Sequence, residues 1–220
     1  MIDATRHAAI FDPVRFNMSR KEIDVIGCGA IGSHIGRSLY KLGLEGTRYW
    51  DPDHVEEHNI ANQSFCEEYE LGEPKADALA LAPKDKGLVQ LYEGQKPLRN
   101  YVFLCVDSMK ARQEIFENNI QYKAGIDLVI DCRIDPWMAR IYTLDPKNTN
   151  HVDMWDQNMY EDEERNESLC GTRQTLGPTA QIVANMAVLN FIKHVNNEPE
   201  YGEILLSLKP FSIYTNKLES

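Results

Sequence analysis

Short apolar runs alternate along the chain with longer segments whose apolar residues recur every three or four positions. These runs predict strands at 22–26, 47–50, 87–91, 101–106 and 128–130. The continuous apolar runs at 101–106 and 128–130 indicate strands buried in the sheet. The periodic segments predict helices, and they lie at 30–42, 75–82, 108–116 and 178–194. This alternation predicts an α/β fold: a Rossmann-like, doubly wound and mostly parallel sheet.

The pattern changes in the second half of the chain. Residues 139–144 alternate apolar and polar positions, and apolar residues 204–206 lie in another short run, so we expect antiparallel strands at one edge of the sheet. Residues 146–177 are polar and acidic without periodicity, which predicts a long crossover loop. With residues 1–20 as an N-terminal arm and no linker or repeat, we expect a single domain over residues 1–220.

Composition excludes several classes of function. A net charge of −11 disfavours nucleic acid and anionic membranes as main partners. No apolar run reaches the roughly 20 residues that span a bilayer, and the first residues lack the pattern of a signal peptide. The five cysteines are widely spaced with no C-x-x-C pair, which predicts neither a zinc site nor a disulfide framework. We therefore expect a cytoplasmic protein.

A glycine-rich turn joins the first predicted strand to the first long helix. It has the pattern G-x-G-x-x-G, formed by Gly27, Cys28, Gly29, Ala30, Ile31 and Gly32. The first glycine permits a tight turn, the second lets the backbone approach a phosphate, and the third lets the helix pack on the strand. Free N–H groups at the start of the helix favour an anion. The turn predicts a nucleotide site.

An acidic residue about 20 positions further on is expected to bind the ribose hydroxyls. Asp51 lies 19 residues after Gly32, at the end of the next predicted strand, and Asp53 follows it. Up to this point the residues fit either a nicotinamide-dependent enzyme or an adenylate-forming enzyme.

Four later segments resemble the ThiF/MoeB/HesA superfamily, the adenylyltransferases that include ubiquitin-activating-like enzymes. The family pattern after the glycine-rich turn is D-x-D-x-V, N-x-x-R-Q, G-x-P-K and C-T-D-N. The matching segments are Asp51-Pro52-Asp53-His54-Val55, Asn59-Ile60-Ala61-Asn62-Gln63, Gly72-Glu73-Pro74-Lys75 and Cys105-Val106-Asp107-Ser108. The resemblance covers roughly residues 6–195, in a minimal form without the zinc cysteines of many relatives.

The resemblance implies that a carboxylate attacks the α-phosphate of ATP, a reaction that needs fixed cations and hydrogen-bond donors. Lys75 would place its ammonium on the phosphates, and Asp107 would hold Mg²⁺. Asn59 and Gln63 would contribute hydrogen bonds near the phosphates. No metal other than magnesium is implied. The substrate would be the C-terminus of a ubiquitin-like or sulfur-carrier protein, or of a peptide.

Position 62 departs from the family pattern, because Asn62 stands where the family has arginine. A neutral amide cannot supply the charge of a guanidinium. The family often takes a further arginine from the arm of a partner subunit, and Arg6 lies in a similar arm, so we expect Arg6 to act in trans in a homodimer. Alternatively, Asn62 indicates a catalytically weak nucleotide-binding scaffold. An NAD-dependent oxidoreductase is the other alternative.

Cys170 is the candidate nucleophile. In the family a reactive cysteine precedes the helix that here begins near Pro178, and the nearby Arg173 would lower the pKa of its thiol. A thiolate at position 170 could take the acyl group from the adenylate. Cys28 and Cys105 are interpreted as packing residues.

Overall fold

Eight strands form a single mixed sheet in the computed structural model, which describes residues 2–160 and 175–217. The strands are β1 (Ile23–Ile26), β2 (Thr47–Trp50), β3 (Lys86–Leu88), β4 (Asn100–Leu104), β5 (Ile126–Ile134), β6 (Met138–Leu144), β7 (Glu203–Leu208) and β8 (Phe211–Asn216). Their order in the sheet is β3-β2-β1-β4-β5-β6-β7-β8. Neighbours from β3 to β5 are parallel and those from β5 to β8 are antiparallel. The predicted α/β fold with an antiparallel edge is confirmed.

Helices cover both faces of this sheet. They are α1 (Pro13–Met18), α2 (Ala30–Lys41), α3 (Glu67–Glu70), α4 (Lys75–Leu79), α5 (Met109–Ile115), α6 (Thr149–Asp156) and α7 (Gly177–Val195), with a 3-10 turn at Glu57–Asn59 and a π-helical turn at Phe116–Ile120. On one face α2 and α7 pack together over Val25 and Phe103. On the other face Phe116 and Trp155 bury Val102. Strands covered on both sides explain the continuous apolar runs in the sequence.

The aromatic residues of the N-terminal arm join the first of these two cores. The ring centroid of Phe16 in α1 lies 5.6 Å from that of Phe191 in α7, and that of Phe11 lies 6.4 Å from it. Asp12 caps α1 by accepting bonds from the N–H groups of Val14 and Arg15. The arm is therefore held against the helix layer by burial of its aromatic rings.

The prediction of a loop throughout 146–177 is wrong, because residues 149–156 form α6 and α7 begins at Gly177. Asn148 caps α6, and Trp155 stacks on Phe116 with ring centroids 3.9 Å apart. The short helix has only two buried residues, so packing decides a conformation that periodicity does not reveal. Residues 161–174, which include Cys170 and Arg173, lie outside the described residues.

Several other predicted boundaries also shift. The helix predicted at 75–82 ends at Leu79, the strand predicted at 87–91 spans only Lys86–Leu88, and β4 ends at Leu104. The last shift places Cys105 and Val106 beyond the strand, in the segment that leads to Asp107. The β5 strand is longer than predicted and reaches Ile134, because β6 pairs with its second half.

Candidate functional site

The carboxyl ends of β1, β2, β4 and β5 open into one cavity of about 1110 Å³. Enzyme sites in doubly wound sheets lie at this edge, where the connections diverge to opposite faces. Most of the residues predicted from the sequence line this cavity. They are Gly27, Gly29, Ala30, Ile31, Asp51, Asp53, Asn59, Asn62, Gln63, Lys75 and Asp107. A volume of this size can hold a nucleotide, since ligand pockets typically measure about 300–1,000 Å³.

Two glycines of the turn are required by close packing, whereas Gly29 borders open space. Gly27 has a φ of +89°, and a Cβ on it would lie 2.8 Å from the carbonyl of Cys105. A Cβ on Gly32 would overlap the carbonyl oxygen of Gly27, so Gly32 serves packing and does not line the cavity. A Cβ on Gly29 would meet nothing within 4 Å. The open space beside Gly29, at the start of α2, suits an approaching phosphate.

Asp51 ties the turn to the end of β2. Its carboxylate accepts bonds from the N–H of Cys28 at 2.6 Å and from the N–H of Asp53 at 2.9 Å. Burial raises the pKa of Asp51, and these two bonds oppose that effect. The side chain of Cys28 is fully buried beneath the turn, as its interpretation as a packing residue requires. Asp51 therefore shapes the turn while it lines the cavity.

Lys75 is buried to 6% exposure and reaches the cavity from the start of α4. Its ammonium lies 3.1 Å from a carboxylate oxygen of Asp53. The two segments are also joined through their backbones, because the N–H of Lys75 donates to the carbonyl of Asp53 at 2.9 Å. The sequence separation of 22 residues gives no sign of this pairing, but the fold brings both side chains to one wall.

The segment 59–63 contributes amide side chains to the cavity. Asn59 is buried and accepts a bond from the N–H of Glu56 at 3.0 Å, so it orders the loop. The amide nitrogen of Asn62 donates to the hydroxyl of Thr175. The side-chain oxygens of Asn62 and Gln63 are buried without a hydrogen-bond partner among the described residues. Unsatisfied buried oxygens beside a cavity are suited to a bound ligand that donates hydrogen bonds.

Asp107 follows β4 after Cys105 and Val106, and it lies exposed at the cavity. The next residue, Ser108, caps α5 by accepting a bond from the N–H of Ala111 at 3.2 Å. Among residues 2–160 and 175–217 no three His, Cys, Asp or Glu side chains converge on a possible metal site. Nucleotide-bound magnesium needs only one or two protein carboxylates together with phosphates and water, and Asp107 is one carboxylate at the cavity.

Three further residues from the sequence analysis stand apart from the predicted residues that line the cavity. Arg6 is exposed on the arm and is not among the described side chains that line the cavity. Cys170 lies outside the described residues. Cys105 is half-buried and lines the cavity, so its interpretation as a packing residue is incomplete.

Two arginines that the sequence analysis missed also line the cavity: Arg112 of α5 and Arg133 of β5. Both are almost fully buried beside Asp131. Arg112 had one detectable signal, since it lies three residues before the apolar Ile115 and so falls on the inner face of α5. Arg133 had no such signal, because an arginine near the end of an apolar run is usually exposed to solvent at the end of the strand.

The ionisable side chains that line the described part of the cavity are mostly acidic. The acidic ones are Asp51, Asp53, Glu93, Asp107 and Glu114, and the basic ones other than histidine are Lys75, Arg112 and Arg133. A polyanionic ligand in such a cavity needs cations to offset this negative charge, and the described lining supplies three of them.

No described helix is both long and apolar enough to cross a lipid bilayer.

Residues 5–86 match the ThiF family. No curated protein sequence matches the chain significantly. Among solved structures, PaaA aligns with a TM-score of 0.69 and 17% identity, over 98% of this chain and 68% of PaaA. E. coli MccB with ATP gives a TM-score of 0.67 and 14% identity, over 93% and 65%. The microcin C7 biosynthetic enzyme MccB with N-formylated MccA gives a TM-score of 0.68 and 14% identity, over 93% and 66%. The chain thus spans about two thirds of their lengths. At such low sequence identity, the structural alignments show a shared fold.

Proposed function

We propose that this chain, whose residues 5–86 match the ThiF family, is an ATP-dependent adenylyltransferase. Its substrate would be the C-terminal carboxylate of a peptide or a small carrier protein. One observation carries the proposal: the glycine-rich turn, Lys75 and Asp107 come from three separate segments and line the same cavity. An NAD-dependent oxidoreductase would need the turn and Asp51 but has no use for Lys75 or Asp107.

The reaction requires charge stabilisation more than a covalent nucleophile. An oxygen of the substrate carboxylate attacks the α-phosphorus of ATP, the bond from that phosphorus to the β-phosphate oxygen breaks, and pyrophosphate leaves with the electron pair. The acyl-adenylate is the product. The turn and Lys75 would hold the phosphates, while Asp51 and Asp53 would face the ribose. Bound Mg²⁺, held through Asp107, would neutralise phosphate charge.

A peptide is the substrate that the structural relatives favour. MccB has been crystallised with MccA peptides and with ATP, and its fold is shared along 93% of this chain. A ubiquitin-like or sulfur-carrier protein presents the same chemical group, an extended C-terminus. Transfer of the acyl group to Cys170 stays a prediction, since that residue lies outside the described residues.

Exchange of labelled pyrophosphate into ATP, measured with candidate peptides and carrier proteins, tests the proposal. Lys75→Ala and Asp107→Ala are each expected to reduce exchange at least about 100-fold, since each removes one charge that opposes the developing negative charge. Lys84→Ala and Asp153→Ala remove exposed charges away from the cavity and serve as matched controls. Exchange that survives both cavity substitutions would refute the assignment of the site.

A homodimer in which Arg6 acts in trans is the second part of the proposal. The exposure of Arg6 leaves it accessible to another subunit. Arg6→Ala and Lys75→Ala should each be inactive alone. Mixed after dissociation, they should regain about a quarter of wild-type exchange, because half of randomly assembled dimers would contain one complete site. If Arg6 acts within its own subunit, or has no role, no such recovery occurs.

A non-catalytic nucleotide-binding scaffold is favoured by one observation. Asn62, in place of the family arginine, donates its amide to Thr175 and so ties the start of the last helix to the loop. ATP binding without exchange, in the presence of every candidate carboxylate, would support this alternative.

A further inference from the structure

A buried charge cluster forms the wall of the cavity below β4 and β5. Asp131 accepts bonds from Arg112, from the Nε of Arg133 at 3.0 Å and from the indole N–H of Trp155 at 2.7 Å. The three charged residues are 0%, 2% and 4% exposed for Asp131, Arg112 and Arg133. The guanidinium of Arg133 also lies 4.6 Å from the ring centroid of Tyr142. The cluster is therefore fixed in place by packing and hydrogen bonds.

The cluster carries one more positive charge than negative charge. Arg140 and Glu203, which lie on the neighbouring strands β6 and β7, contribute one charge of each sign and leave the excess unchanged. Burial, followed by repulsion from Arg133, lowers the pKa of Arg112 to about 9, which leaves this guanidinium charged at neutral pH. Burial also lowers the pKa of Arg133. The Nε of Arg112 is buried without a hydrogen-bond partner among the described residues. A buried excess charge is costly unless an anion compensates it.

The cavity lies against both arginines of the cluster, so a ligand bound there can supply an anion. Arg112 and Arg133 both line it, Asp131 does not, and the remaining lysine of the wall is paired with Asp53. Arg112 also donates to the carbonyls of Leu104 and Val106, in the segment that leads from β4 to Asp107. The family pattern would instead supply a cation at position 62, where this chain has a neutral amide.

We propose that the Arg112–Asp131–Arg133 cluster is an oxyanion-binding element that attracts the phosphates of the nucleotide and replaces the charge that Asn62 lacks. This inference rests on the proposed function. It assigns an electrostatic role to two arginines on the β5 side of the cavity, whereas the glycine-rich turn provides neutral N–H donors on the β1 side. The attraction acts across the low-dielectric wall and does not require a direct bond from either guanidinium.

Titration calorimetry with ATP, AMP and adenosine tests the cluster. Arg133→Met should weaken ATP binding about tenfold and AMP binding less, because a charge is lost near the phosphates. It should leave adenosine binding unchanged. Arg133→Lys keeps the charge and should retain most of the ATP affinity. Arg15→Met removes an exposed arginine of α1 that is not among the described side chains lining the cavity, and it should change ATP affinity less than twofold.

A double substitution distinguishes charge from structure. Asn62→Arg added to Arg133→Met should restore most of the lost ATP affinity, because it returns a cation to the family position. Equal ATP affinity in Arg133→Met and wild type, or equal losses for ATP and adenosine, would overturn the inference. A wild-type protein that binds neither ATP nor AMP would instead refute the proposed function itself.

Discussion

The two halves of the sheet contribute different chemistry to the same cavity. The half formed by β1 to β4 supplies backbone N–H groups at a glycine-rich turn and a lysine whose charge is balanced by Asp53. The half formed by β5 to β8 supplies Arg133 beside Asp131, in a cluster with excess positive charge. The family match at residues 5–86 falls entirely in the first half. The backbone geometry of the first half thus makes the site recognisable from sequence, whereas part of its charge comes from β5, outside the matched region.

The largest expected effect is on the buried cluster of the second half. Asp131→Asn should lower the free energy of unfolding by about 3 kcal/mol or more, because it leaves two buried arginines without their carboxylate. Asp127→Asn, which breaks an exposed pair with Lys21, should cost less than about 1 kcal/mol. Urea denaturation of both variants measures the difference. Equal costs would contradict the central role of Asp131 in this half.

Substitutions in the glycine-rich turn should separate packing from ligand approach in the first half. Gly32→Ala should lower the free energy of unfolding by about 2–3 kcal/mol, because its Cβ would overlap the carbonyl of Gly27. Gly29→Ala should leave thermal unfolding nearly unchanged, since its Cβ enters open space, but it should abolish ATP binding. A Gly29→Ala variant with wild-type ATP affinity would show that the phosphates lie elsewhere.

The smallest expected effect concerns the pH dependence of stability. Burial raises the pKa of Asp51, so the folded protein binds this proton more tightly than the unfolded chain. Its contribution therefore favours folding at low pH and weakens as the pH rises above 3.8 through the raised pKa. The free energy of unfolding of wild type relative to Asp51→Asn should fall over that range in denaturation series.

Asp127 provides the matched control, because its pKa shifts in the opposite direction. Burial acts to raise the pKa of Asp127, but bonds from Lys21 and Asn100 outweigh it and lower the pKa. Its contribution to stability is therefore present at neutral pH and is lost as the pH falls through the lowered pKa. If stability relative to wild type changed with pH in the same direction for Asp51→Asn and Asp127→Asn, the opposite pKa shifts of the two carboxyl groups would be contradicted.

Local patterns were sufficient for much of the fold and for part of the site. The glycine spacing between a strand and a helix predicted the turn, and the spacing of an acidic residue after it predicted Asp51. Lys75 and Asp107 were predicted by resemblance to the family pattern. Each of these residues lies at an element boundary, where sequence reasoning is strongest because the backbone restricts the residue type. The helix α6 was missed because its two buried residues, Val152 and Trp155, are too few to show a period.

The sequence by itself determined the alternation of strands and helices, the position of the glycine-rich turn and the change to antiparallel strands, since these depend on residues close together in the chain. Only the tertiary structure decided which charges meet. Arg112, Asp131 and Arg133 belong to two different elements, and Lys75 pairs with a residue 22 positions earlier. Burial then sets how strongly these charged groups interact, because the cost of removing an ion from water depends on the whole surrounding fold.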